Sequence, residues 1–264
     1  MKSAVLGFFL IAWLACAQAK IVTKTVPYDQ GGVHLIGCLA YDDTQTDGKK
    51  LPGVLVVPEW WGLNDFVKGR AEALAKLGYV AFVADMYGDG QSTTDPNKAK
   101  ELSSPFYGKP VMVERAKAAL DQLTGSGLVD ESKLAAIGFC FGGAACQVLA
   151  YSGAPLKGIV SFHGALVPLP ADAAAKTHAK FLVLQGELDP HVDLDQRLAF
   201  IKSLDQGKID FQFLSYSGAV HAFMNPEADK FHLEGIGYNA AVAQRAWNQM
   251  QLFFQEIFGT GKTS

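Results

Sequence analysis

The 264-residue chain has no long run of one charge, no Pro/Gly/Ser-rich linker and no internal repeat. Its charges are scattered, 23 Lys and Arg against 26 Asp and Glu, for a formal net charge of −3. That distribution argues against nucleic acid as a partner and against electrostatic docking on a membrane, both of which need a concentrated basic face. The missing linker argues for one domain. There is no G-x-G-x-x-G phosphate loop and no cluster with metal-ligand spacing. The two His of "HAFMNPEADKFH" are too far apart to share a helix face. Neither a metal nor an organic cofactor is therefore expected. No apolar stretch is long enough to span a bilayer.

What the chain does have is 49% apolar residues, enough for a sizeable core. Its first segment, "MKSAVLGFFLIAWLACAQAK", has one Lys, then an apolar run, then Ala17-Gln18-Ala19. This is the pattern of a secretory signal, with cleavage expected after Ala19. A retained anchor and lipoprotein processing at Cys16 are the alternatives; Trp13 stands where a lipoprotein site usually carries Leu. The reading is an exported protein, periplasmic or secreted, with residues 1–19 removed and 20–264 forming a single domain. Removal takes away one lysine, leaving 22 positive against 26 negative groups, or −4. It also leaves three cysteines, Cys38, Cys140 and Cys146. Cys140 and Cys146 on one helix would be separated by about 9 Å of rise, too far for a disulfide. A Cys38–Cys146 bridge stays open and would leave Cys140 free.

Along the chain, "IVTKTVPY" and "VHLIGCLAYDD" read as strands around a "DQGG" turn. "GVLVVPE" is a buried strand, "DFVKGRAEALAKLG" a helix ending on Gly78, and "YVAFVADMYG" another buried strand. The alternation continues: a helix over 110–123, strand "KLAAIGF", helix "FGGAACQVLAYSG", strand "KGIVSFHG", a loop with a short helix over 165–179, and strand "KFLVLQGE". A helix near 194–204, strand "DFQFLSYS" and the amphipathic "NAAVAQRAWNQMQLFFQEIF" close the chain. Strand–helix alternation implies a mostly parallel sheet with helices on both faces, an α/β fold.

In "KLAAIGFCFGG" a strand runs into Gly138, Phe139, Cys140, Phe141 and Gly142, then a helix. This is the G-x-S-x-G elbow with Cys in place of Ser. A nucleophile on so sharp a turn needs small neighbours two residues away, and the helix N-terminus behind it stabilises a thiolate. The bland alternative is a buried core cysteine. The backbone N–H of Phe141 is one candidate oxyanion donor. The second should come from the loop after "GVLVVPE", where "PEWWGLND" presents the N–H of Trp60. Glu59 is a carboxylate at the end of a buried strand, which is costly unless paired. The acid of such a site follows the nucleophile and precedes the His. Asp189 in "LQGELDPHV" and His221 in "SGAVHAF" satisfy that order. His232 is the alternative base. His163 precedes the acid and reads as pocket-lining; His178 and His191 read as surface-loop residues. Asp193 and Asp195 read as helix-capping. Trp61, Phe139 and Phe223, with His163, are candidate pocket residues that could equally be core.

Together "PEWWGLND", "ADMYGDG", "IGFCFGG", "LQGELDPHV" and "GAVHAF", in this order, resemble the dienelactone hydrolase family of α/β-hydrolases over essentially all of 20–264. The resemblance implies a Cys140–Asp189–His221 triad and a Glu59 that contacts the thiol. It implies hydrolysis of a small carboxylic ester or lactone through an acyl-thioester. Acyl transfer, thioester cleavage, or redox sensing at Cys140 are the competing readings. A monomer is the expected state. The chain departs from the family pattern at one point. Members acting on dienelactone hold its carboxylate with arginines after the "D-x-Y" stretch and just beyond the His, and neither "MYGDGQSTT" nor "HAFMNPEAD" contains one.

Overall fold

A computed structural model describes residues 20–46 and 48–259. The signal segment expected over 1–19 lies outside them. Eight strands form one sheet: β1 (Ile21–Gln30), β2 (Val33–Asp42), β3 (Leu51–Val57), β4 (Val80–Val83), β5 (Val129–Phe139), β6 (Gly158–Phe162), β7 (Lys180–Gly186) and β8 (Phe211–Tyr216). Their spatial order is β1-β2-β4-β3-β5-β6-β7-β8. The β1–β2 hairpin and the β2–β4 pairing are antiparallel, and every later pair is parallel. The helices are α1 (Asp65–Lys76), α2 (Pro96–Ser103), α3 (Pro110–Gly125), α4 (Phe141–Tyr151), α5 (Leu194–Gln206) and α6 (Ala240–Phe258).

The central strands are continuous apolar runs because both faces of the sheet are covered. In β3, Leu55 and Val57 join the core under α3, α4 and α5, while Val54 and Val56 join the core under α1 and α6. Local chemistry sets the helix ends. Asn64 caps α1 by accepting from the Val67 N–H, and Asp193 with Gln196 forms a capping box at the start of α5. The capping reading of Asp193 therefore has its geometry.

The structure adds one element, shortens another and closes one open alternative. Residues 96–103 form α2, started by Asp95 as cap and Pro96 in the first turn, signals that the sequence reading passed over. The helix expected within 165–179 shrinks to one 3-10 turn at Ala174–Lys176. The preceding stretch instead lies along α4, where the Tyr151 hydroxyl donates to the Val167 carbonyl and Gln147 accepts from the Val167 N–H. Finally, no Cys38–Cys146 bridge forms: Cys146 packs in the core on the α4 face and Cys38 against the core on the α1 face. The sheet stands between them.

Candidate active site

Cys140 sits where β5 ends and α4 begins, with φ 52° and ψ −114°. A non-glycine residue there is strained, and strain of this kind is kept where the surroundings over-determine it. Here they do. An added Cβ at Gly138 would strike the Gly142 carbonyl, and one at Gly142 would strike the Val57 carbonyl. The Cys140 N–H donates to the Phe162 carbonyl at 3.0 Å, and the Gly143 N–H returns to the Cys140 carbonyl at 3.0 Å. Phe141 begins the helix with its ring buried beneath Tyr87, Phe106 and Tyr107. Among the described residues, the backbone N–H groups of Phe141 and Trp60 meet no acceptor.

Asp189 follows β7 and His221 follows β8, as chain order required. His221 Nδ1 lies 2.8 Å from Asp189 Oδ2, and both side chains are buried. The carboxylate fixes the Nδ1–H and leaves Nε2 to meet Cys140. Burial alone would push the His221 pKa down. The neighbouring Cys140 sulfur and the Asp189 hydrogen bond reverse that and hold it near 10. The imidazole therefore holds its proton at neutral pH. Asp189 also accepts from the His191 N–H, which fixes its turn.

Glu59 is 2% exposed and ends the β3 loop. Its Oε2 accepts from Asn225 Nδ2 at 2.7 Å, and its Oε1 has no partner among the described residues. Burial pushes its pKa up to about 7; the Asn225 hydrogen bond and the positive charges of His221 and Arg70 only partly offset this. Arg70 does not pair with it. The guanidinium donates to the Met224 carbonyl at 2.8 Å and lies over the rings of Phe66 and Trp247.

A cavity of about 380 Å³ opens above these groups, lined by Trp60, Tyr107, Cys140, Ala165, His191, Val192, His221, Leu233, Glu234 and Ile236. The sequence had proposed other walls. Trp61, Phe139, His163 and Phe223 are all buried outside that lining. Trp61 stacks on Phe231, and Phe139 stacks on Phe162 in the core under α6. His163 packs edge-on between His221 and Phe223, with both ring nitrogens unpartnered among the described residues. Burial keeps it neutral. His191 needs the opposite correction. It is an exposed loop residue, as expected, yet its ring lies 4.9 Å from His221 at the cavity wall. His178 and His232 are exposed and stand outside the lining.

Other site residues escaped the sequence reading. Asp85 accepts from four backbone N–H groups, Ile36, Tyr87, Gly88 and Gly90, and so shapes the "ADMYGDG" loop. That loop aims the Tyr87 hydroxyl at the Trp60 carbonyl, 2.9 Å away. Asn225 was legible only as a polar residue beyond His221. Leu233, Glu234 and Ile236 carried no motif at all.

An eight-stranded, mostly parallel sheet with a cysteine elbow at its carboxyl edge is the α/β-hydrolase fold. Residues 37–258 match the family model described as "Dienelactone hydrolase family". The chain belongs to that family, and with it to enzymes that hydrolyse lactones and esters. A solved dienelactone hydrolase-like promiscuous phosphotriesterase from metagenomic libraries matches with a TM-score of 0.87 at 40% identity, over 91% of this chain and 99% of that one. "Protein usf" of Aquifex pyrophilus is 29% identical, covering 88% of this chain and 98% of its own length. The Bradyrhizobium protein named "Probable 2-oxo-3-(5-oxofuran-2-ylidene)propanoate lactonase" is 28% identical, over 89% and 96%.

Proposed function

We propose that this hydrolase works through Cys140 as nucleophile, His221 as the proton carrier and Asp189 as the group that orients it. The observation that carries the reading is the buried 2.8 Å His221–Asp189 bond, at the floor of the cavity that also exposes Cys140. The thiolate attacks the ester carbonyl carbon, and the carbonyl electron pair moves onto oxygen. The free N–H groups of Phe141 and Trp60 are the proposed donors to that oxyanion. Collapse expels the alcohol, which takes the proton from His221 Nε2 and leaves an acyl-thioester. Water then attacks the thioester, giving a proton to Nε2. The acid departs and the thiolate returns. Glu59, facing the site with one free oxygen, is proposed to govern the protonation of the resting thiol.

The test is turnover of p-nitrophenyl acetate. Cys140→Ala and His221→Ala should each lose on the order of 10³-fold or more in kcat. His232→Ala should retain most activity. An acid-quenched reaction should carry the acyl group on Cys140 by mass spectrometry. An active Cys140→Ala variant would overturn the nucleophile, and an acyl group elsewhere would move it. The 40%-identical relative described as a phosphotriesterase favours a second substrate class at the same thiol, a neutral phosphotriester. Diethyl p-nitrophenyl phosphate tests it, with release of nitrophenol lost in Cys140→Ala. Export is likewise proposed, from residues 1–19; N-terminal sequencing of the protein recovered outside the cytosol should begin at Lys20.

A further inference from the structure

We infer that the cavity selects against anionic substrates and that Glu234 enforces the selection, so that its substrates are uncharged or cationic esters. The inference rests on the thiol-hydrolase reading above. Six of the ten lining residues, Trp60, Tyr107, Ala165, Val192, Leu233 and Ile236, are apolar or aromatic, and none is Lys or Arg. Glu234 is the one carboxylate among them. Beneath the lining lie two more, Glu59 and Asp189. The positive charge of His221 is already paired with the buried Asp189 carboxylate at 2.8 Å. Arg70, the guanidinium nearest in effect to Glu59, is committed to the Met224 carbonyl and two aromatic rings. A substrate carboxylate would leave water, find no lysine or arginine in the lining, and meet Glu234. Burying a charge without a partner is unfavourable, and a like charge adds to that cost.

The backbone that carries Glu234 is held in place. The 233–237 segment pairs with the backbone of His221 itself. The His221 N–H donates to the Gly235 carbonyl at 3.0 Å, and the Gly237 N–H donates to the His221 carbonyl at 3.0 Å. Gly235 has φ +72°, and a Cβ there would strike the ring of Pro190, next to Asp189. The segment is therefore clamped between the loops that deliver the acid and the His. It sets Leu233 and Ile236 as wall and fixes the Glu234 backbone beside His221, with the exposed Glu234 side chain among the lining residues.

The experiment uses butyrate esters of 4-nitrophenol, 3-carboxy-4-nitrophenol and 3-(trimethylammonio)phenol as neutral, anionic and cationic probes. Each kcat/KM is divided by that ester's rate constant with hydroxide, which removes the difference in leaving group. The wild-type anion-to-neutral ratio should be about one tenth or less, as expected for a like charge in a partly desolvated cavity. Glu234→Gln should raise that ratio roughly three- to tenfold, and Glu234→Lys should raise it further while lowering the cation-to-neutral ratio. Added salt should raise the wild-type ratio and leave that of Glu234→Gln much flatter, since an exposed charge is screened. Ratios cancel any loss of folded protein. An anion turned over as well as the neutral ester, or ratios unmoved by both substitutions, would overturn the inference while leaving the hydrolase reading intact. Turnover of none of the three esters would overturn that reading and this one with it.

Discussion

Glu59 shows what one residue can be asked to do when the fold removes its water. Its carboxyl rises from an ordinary 4.5 to about 7, through burial that the Asn225 hydrogen bond offsets only in part. Between those two values the folded protein holds its proton while the unfolded chain has released it. Stability therefore falls as pH rises through that window, by about 3 kcal/mol. Glu59→Gln keeps the shape and can still accept from Asn225. Denaturant unfolding should find it close to wild type at pH 4.5 and more stable at pH 8; equal pH profiles would mean that the carboxyl is not strained by its burial. The residue was legible in advance as an odd carboxylate beside two tryptophans. Its partner was not, because Asn225 lies 166 positions away and only packing joins them. The pocket residues failed at this scale for a related reason. An aromatic next to a motif can face a cavity or the core, and Phe139 and Phe223 face the core.

At the scale of elements, the elbow depends on two glycines, Gly138 and Gly142, whose Cβ positions are taken by backbone carbonyls. Gly142 sits within α4, yet an alanine methyl there would meet the Val57 carbonyl and, at 2.6 Å, the Pro58 carbonyl. Backbone cannot yield as a side chain can. Gly142→Ala should cost on the order of 3 kcal/mol and abolish esterase activity in whatever protein remains folded. Gly69, in α1, has open space around it. Gly69→Ala should stabilise by roughly 0.5–1 kcal/mol, the ordinary gain of replacing glycine in a helix. Thermal unfolding of the two variants side by side checks the pair, and opposite signs are expected. The strands and long helices could be read from apolar runs and helical spacing because each pattern is local. Helix α2 is short and mostly polar, so its apolar pattern was too thin to register beside its Asp95–Pro96 start. The 165–173 stretch lost its expected helix because its backbone groups found partners on α4 instead.

At the scale of the whole molecule, the sheet sorts the three cysteines among the described residues into three environments. Cys140 opens into the cavity, Cys38 is half-buried against the α1-side core, and Cys146 is fully buried on the α4 side, where burial raises its pKa. A thiol-specific disulfide reagent on the native protein should modify Cys140 first and Cys38 more slowly, and should reach Cys146 only on unfolding. Rapid labelling of Cys146 in the native state would contradict the packing of α4. The sequence alone settled the parallel α/β architecture, the elbow at Cys140 and the chain order that brings Asp189 and His221 to it. Each of these is written in local spacing or in the order of elements, which folding must respect. The walls of the cavity, the Asp85–Tyr87–Trp60 chain of hydrogen bonds and the clamp that sets Glu234 beside His221 were decided by tertiary structure. They join residues far apart in the chain through backbone groups that every residue shares, and such contacts leave no mark on residue type.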